Sequence, residues 1–256
     1  MGSALVGGIV ASGSYSASDI HGFDAYAPAS QGLSERIGTS IAESTAAAID
    51  GADVILLCVK PADIAGLTDE LHNAPTGSLV ISIAAGVTIS QLEEIAGPRH
   101  RILRVMPNTP ALVGLGVAGI APSALATPED LEVANRIFSS VGTSMEVPEK
   151  LMDAVTGLSG SGPAYVYTFI EALADGGVLR GLPRDKAIEA AAQTVMGAAK
   201  MVIETGLHPA QLRDQVTSPG GTTISGLNEL EAQGFRAAVM GAVSAATDRS
   251  IELGKS

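Results

Sequence analysis

The feature that most constrains this chain is a change of texture near Glu149. Before it, short apolar runs alternate with helix-like stretches; after it, strand patterns vanish and alanine-rich helical periodicity runs on to Gly254. Alternation of strand and helix builds a parallel sheet covered on both faces, whereas a long helical tail must bury its apolar sides against other helices. The expected division is an α/β domain over residues 1–148 and an all-α domain over residues 149–256.

Within the first part, DVILLCV (Asp53 to Val59) and SLVISIA (Ser78 to Ala84) are uninterrupted apolar runs, the pattern of strands buried on both faces. Strands are also expected at Asp19 to Asp24, Arg101 to Val105 and Ser144 to Val147. Helices are expected at Ser3 to Ala11, Ala42 to Asp50 and Ile64 to Leu71, from Ser90, whose Glu93 makes a capping-box pattern, and from Pro128 to about Val141. Val105 to Pro128 otherwise reads as a Pro/Gly-rich loop. In the second part, helices are expected at Lys150 to Thr156, Pro163 to Leu179, Arg184 to Thr205, Pro209 to Thr217, Thr223 to Glu231 and Phe235 to Leu253. Several are apolar around much of their circumference, as in AAAQTVMGAAKMVI, so this domain is expected to dimerise.

Composition narrows the function. With 46% hydrophobic and 16% charged residues, the 256-residue chain can bury a large core. Its 15 basic and 27 acidic residues give a net charge of −12, which repels nucleic acid and anionic membranes. A single cysteine, Cys58, excludes an internal disulfide, and the four scattered histidines suggest no metal site, so a cytoplasmic protein is expected. Residues 1–18 are uncharged but lack the basic lead of a signal sequence, and prolines break the uncharged run from Val105 to Pro128, so no transmembrane helix is expected.

The chemistry-bearing candidates sit at turns. Gly2 precedes a helix and fits the last glycine of a dinucleotide-binding fingerprint, or a plain cap. About twenty residues on, Asp24 closes a strand where a carboxylate would accept from an adenosine ribose, or simply make a turn. Val59 and Lys60 follow the next strand, at the edge that lines the crevice of open α/β sheets, although a lone lysine there is often merely solvated. Ala84, Ala85 and Gly86 are small enough for a flat ring to lie against the backbone, or for a tight turn. In VTSPGGTTISGL, Gly220 and Gly221 free the backbone while Thr222 and Thr223 cap the next helix. That makes a receptor for a carboxylate or phosphate, or an ordinary helix–helix turn. Cys58, inside an apolar run, reads as core.

Taken together, VMPNTPALVG, LMDAVTGLSGSGPAYVYTFIEALADGGV, GAAKM and HPAQLRDQVTSPGGTTISGL resemble the pyrroline-5-carboxylate reductase family over essentially the whole chain. The resemblance implies reduction of 1-pyrroline-5-carboxylate to L-proline with NADH or NADPH, the last step of proline synthesis. It also implies a Rossmann-type N-terminal domain and a helical domain forming an intertwined homodimer, often assembled into decamers. Carried onto this sequence, it implies substrate contacts at Glu149, Gly220, Gly221, Thr222 and Thr223, with Thr223 the catalytic residue at the ring nitrogen. It implies cofactor contacts at Gly2, Val59, Lys60 and Ala85, at Asp24 and Thr45 beside the adenosine ribose, and at Gln215 from the partner subunit.

The family's opening strand and first two fingerprint glycines are not in this sequence. The expectation is an amino-terminally shortened chain that binds dinucleotide poorly, with two strands deprived of a shared neighbour. Asp24, set against the extra phosphate of NADPH, favours NADH. Two alternatives stay open: a non-catalytic dimeric relative, or another reductase of the same layout. A β-hydroxyacid dehydrogenase would use an interdomain lysine, and none lies between Met152 and Lys186.

Overall fold

A computed structural model describes residues 1–254. The chain divides into two compact units: Met1–Ser161 together with the residues from Ser244 on, and Gly162–Val243. The helical texture begins near Glu149, but the segment up to Ser161 packs with the first unit, to which the chain also returns at Ser244.

In the first unit, strands β3 (Val54–Leu57), β4 (Leu79–Ser82), β5 (Arg101–Met106), β6 (Gly116–Pro122) and β7 (Gly142–Glu146) form one sheet in that order. Alternate residues serve opposite faces. Leu79, Ile81, Leu103 and Val105 join one core with Leu5 and Ile9 of α1 (Gly2–Ala11) and Ile137 and Phe138 of α6 (Pro128–Ser139). Val80 and Ile102 join the other with Leu71 of α4 (Thr68–His72) and Leu92 of α5 (Ile89–Ala96). Every residue of β4 is buried, as expected of a strand covered on both sides.

Several local expectations are corrected. The segment read as a loop contains β6, which runs antiparallel to β5, so the sheet is mixed. Its sequence, GVAGIAP, pairs through small residues that carry little strand signal. The strand expected at Asp19 to Asp24 shrinks to β1 (His21–Gly22), because Ser16 caps a short 3₁₀ turn over Ala17–Asp19. Helix α2 (Ala27–Ile37) and strand β2 (Ser40–Ile41), neither anticipated, follow it. β1 and β2 pair in parallel as a sheet of their own, separate from the five-stranded one. Helix α3 (Thr45–Ile49) is capped by Ser44, and the helix expected from Ile64 opens as a 3₁₀ segment, Pro61–Leu67. Helix α5 is capped by Thr88 with Gln91, two residues ahead of the expected Ser90–Glu93 box.

The short helix α7 (Met152–Val155) passes into a π-helical turn, Thr156–Gly160. The second unit then holds α8 (Gly162–Leu179), α9 (Arg184–Thr205), α10 (Pro209–Gln215), α11 (Thr222–Ala232) and the start of α12 (Phe235–Leu253). Its buried apolar side chains are alanines, Ala174, Ala187 and Ala191, where α8 meets α9. Phe169 and Phe235 pack at 5.8 Å between ring centroids, and the Tyr165 hydroxyl donates to the Ala242 carbonyl.

Candidate active site

In the first unit, the carboxyl ends of β3 and β4 present the loops that carry Val59, Lys60 and Ala85, all exposed. Gly86 turns the second loop with φ +80°, a left-handed conformation that favours glycine. Gly2 is the first residue of α1, and a Cβ built on it would lie 3.0 Å from Cys58 Cβ, so glycine lets this helix approach the end of β3. No side chain caps α1, which leaves its first amides available to an anion. Thr45 opens α3. Asp24 accepts the Tyr26 N–H at 2.8 Å through Oδ1, the turn role that the sequence left open, and its second oxygen has no protein partner among the described residues. An uncapped helix start and small or exposed residues at strand ends fit the phosphates and ring of a nicotinamide dinucleotide. Burial pushes the Cys58 thiol up to about 11, which keeps it protonated and unreactive at neutral pH.

Glu149 lies in a polar cluster of the same unit. Its Oε1 accepts the Ile89 N–H at 2.6 Å and sits 3.2 Å from Arg104 Nη1. Arg104 also approaches Asp153 at 3.8 Å, and Asp153 accepts the Ser250 hydroxyl at 2.7 Å. Sequence reasoning missed Arg104, although an arginine inside the strand RILRVM is the available signal: a cation buried in a sheet must be paired. It also missed Asn108, buried behind the MPNTP turn.

In the second unit, Gly220 has φ +67°, the left-handed conformation that favours glycine, and a Cβ on Gly221 would come within 2.3 Å of Ser218 Oγ, so a side chain there would make that hydroxyl turn away. The expected capping by Thr222 and Thr223 is corrected. Gly221 is the N-cap, the two threonines are the first helical residues of α11, and no side chain caps the helix. A threonine placed inside the first turn, rather than before it, cannot reach back to the N2 and N3 amides. The first amides of an eleven-residue helix and two hydroxyls are therefore left for a ligand. Gln215, exposed, ends α10. Among the described residues there is no metal-holding cluster, and no helix is long and apolar enough to cross a membrane.

A strand-and-helix unit with dinucleotide-type loops, joined to a helical unit poor in core of its own, defines the class: an oxidoreductase with a Rossmann-like domain and a helical dimerisation domain. A family model described as NADP oxidoreductase, coenzyme F420-dependent, matches residues 1–86, and one described as pyrroline-5-carboxylate reductase dimerisation matches residues 149–253. The pyrroline-5-carboxylate reductase of Methanosarcina acetivorans is 50% identical over 256 residues, covering 100% of this chain and 95% of that protein. Among solved structures, a pyrroline-5-carboxylate reductase from Coxiella burnetii superposes with TM-score 0.93 at 35% identity, covering 98% of this chain and 93% of that one. The Plasmodium falciparum pyrroline carboxylate reductase with NADP bound gives 0.85 at 35% identity, covering 99% and 94%. The chain belongs to the pyrroline-5-carboxylate reductase family.

Proposed function

We propose that this protein reduces 1-pyrroline-5-carboxylate to L-proline by hydride transfer from NADH or NADPH, the last step of proline synthesis in the cytoplasm. Identity of 50% across the whole chain to a reductase of that name is the observation that carries the reading. The dinucleotide supplies the hydride, so the chain's own residues have to bind, orient and hold a proton. Amides of the Gly220–Thr223 turn anchor the substrate carboxylate, where the uncapped start of α11 favours negative charge. The Thr223 hydroxyl hydrogen-bonds the ring nitrogen. The iminium form already carries its proton, so hydride addition at carbon yields the amine without an ionisable protein acid.

Val59, Lys60 and Ala85, exposed at the strand ends, would hold the cofactor, with Gly2 serving its pyrophosphate and Asp24 and Thr45 its ribose. Asp24 disfavours an added 2′-phosphate, which supports a preference for NADH. The working unit is a homodimer, with Gln215 reaching the partner's cofactor, and dimers assemble further into a decamer. Support for the dimer comes from the apolar exposure of the helical unit, including Leu179 at 82% and Ile203 at 80%.

Oxidation of NADH followed by absorbance, with the cyclic imine as substrate, tests the reading. Turnover is expected, falling at least tenfold in Thr223→Ala and persisting in Thr223→Ser, as befits one lost hydrogen bond to a reacting group. Unchanged turnover in Thr223→Ala removes the role assigned to that hydroxyl. Absence of turnover in the wild-type chain counts against the reaction.

A further inference from the structure

The geometry points to Arg104 as a positioning residue that holds the cofactor-side loop Ala84–Thr88 through Glu149, so that Glu149 serves the dinucleotide rather than the imine. The inference rests on the reductase reading above.

Arg104 stands in β5 with only 7% of its side chain exposed. A buried ion pair is seldom needed for stability, since apolar side chains of similar volume often do as well, so its partners are what give it meaning. Those partners meet at one loop. Glu149 takes the amide of Ile89, the first residue of α5, directly after Thr88. The same Glu149 oxygen is the one paired with Arg104. On the other side, Asp153 faces the guanidinium at 3.8 Å and receives the Ser250 hydroxyl of α12. The end of α12 reaches the loop itself: a Cβ built on Gly86 would lie 3.8 Å from Leu253 Cβ, and one built on Gly254, just past the helix, 3.2 Å from the Gly86 carbonyl oxygen. One guanidinium thus steadies both supports of a loop whose exposed member is Ala85. Holding a flat ring against Ala85 requires that backbone to stay within a fraction of an ångström, which second supports of this kind provide.

Four full-length chains, wild type, Arg104→Met, Glu149→Ala and Arg104→Met/Glu149→Gln, distinguish the possibilities. Dinucleotide affinity is read without turnover, from the fluorescence of NADPH or NADH on binding, alongside KM for each substrate. Arg104→Met and Glu149→Ala are each expected to weaken dinucleotide binding by about tenfold, the scale of a coupled contact, with KM for the imine changed less than twofold. The double variant is expected to recover most of the loss, because a neutral glutamine still accepts the Ile89 amide and leaves no unpaired carboxylate. A rise in imine KM with unchanged dinucleotide affinity would overturn the proposal, as would a double variant weaker than either single one. Should Arg104→Met not fold, Glu149→Ala carries the same comparison, since Arg104 there keeps Asp153. A wild-type chain that binds dinucleotide yet fails to reduce the imine defeats the substrate reading and leaves the affinity comparison standing.

Discussion

Asn108 donates from Nδ2 to the carbonyl oxygen of Ser159 at 3.0 Å, tying the turn after β5 to the π-helical turn at the end of the first unit. Its Oδ1 accepts the Val117 amide at 2.9 Å, so one buried side chain serves both an amide of β6 and a carbonyl of the π-helical turn. Asn108→Ala removes the partner of both part-buried backbone groups, and each such loss costs about 1–2 kcal/mol, the lower part of the range for a buried group. A fall in unfolding free energy of about 2–4 kcal/mol is expected in urea titration. Asn108→Asp, which keeps the acceptor but loses the donor, should lose at least as much, because a carboxylate oxygen would then face the Ser159 carbonyl.

Two helical glycines should respond with opposite signs. A Cβ on Gly8 of α1 would lie 2.3 Å from Val141 Cγ1 and 2.9 Å from the Ser140 carbonyl oxygen, a clash that neither neighbour can cheaply relieve. Gly8→Ala should therefore destabilise by about 1–3 kcal/mol, the usual scale of overpacking. Nothing lies within 4 Å of a Cβ built on Gly32, in the middle of α2. Gly32→Ala should stabilise by about 0.5–1 kcal/mol, and thermal denaturation of the pair reads the contrast.

Cys58 makes stability fall in alkali. Its thiol goes from the ordinary 9.0 to about 11 on folding, because burial disfavours the thiolate. An acid whose folded value is raised loses nothing below the unfolded value. Above it the unfolded chain ionises first, so stability drops as pH climbs from 9.0 towards about 11. The loss at pH 10 should be about 1 kcal/mol from this group. Cys58→Ala should lack that part of the decline when unfolding is compared at pH 8 and pH 10, and an identical decline in both proteins would remove the thiol as its source.

The helical unit should not persist alone. Its buried apolar residues are three alanines, while Leu173 in α8 and Met196 in α9 are exposed. Placing a charge at such positions, in Leu173→Asp or Met196→Asp, should shift the mass measured by light scattering towards the monomer and lower the melting temperature. Unaltered mass in both variants would place the subunit interface on other faces.

Much of the fold is legible in the sequence wherever a single period dominates. The apolar runs of β3 and β4 and the long helices α8, α9 and α12 fall close to where the residues predict, since burial on both faces and helical periodicity are strong, local signals. Reading failed where the deciding partner is distant. β6 is recognised as a strand only through its pairing with β5 and β7, because glycine and alanine have little strand preference of their own. The start of α5 went to Thr88 rather than Ser90, a choice between two nearby caps that backbone geometry settles.

For the candidate site the division is sharper. The sequence by itself determined the class of chemistry through long distinctive blocks such as SPGGTT, in which Gly220 sits at φ +67° in a turn set by local backbone conformation. Only the tertiary structure decided that the two threonines lie inside α11 instead of capping it, and that Glu149 is engaged by Arg104 and the Ile89 amide. The physical reason is sequence distance: those partners lie 45 and 60 residues from Glu149, and a hydrogen bond between such remote groups exists only once the sheet has brought them together.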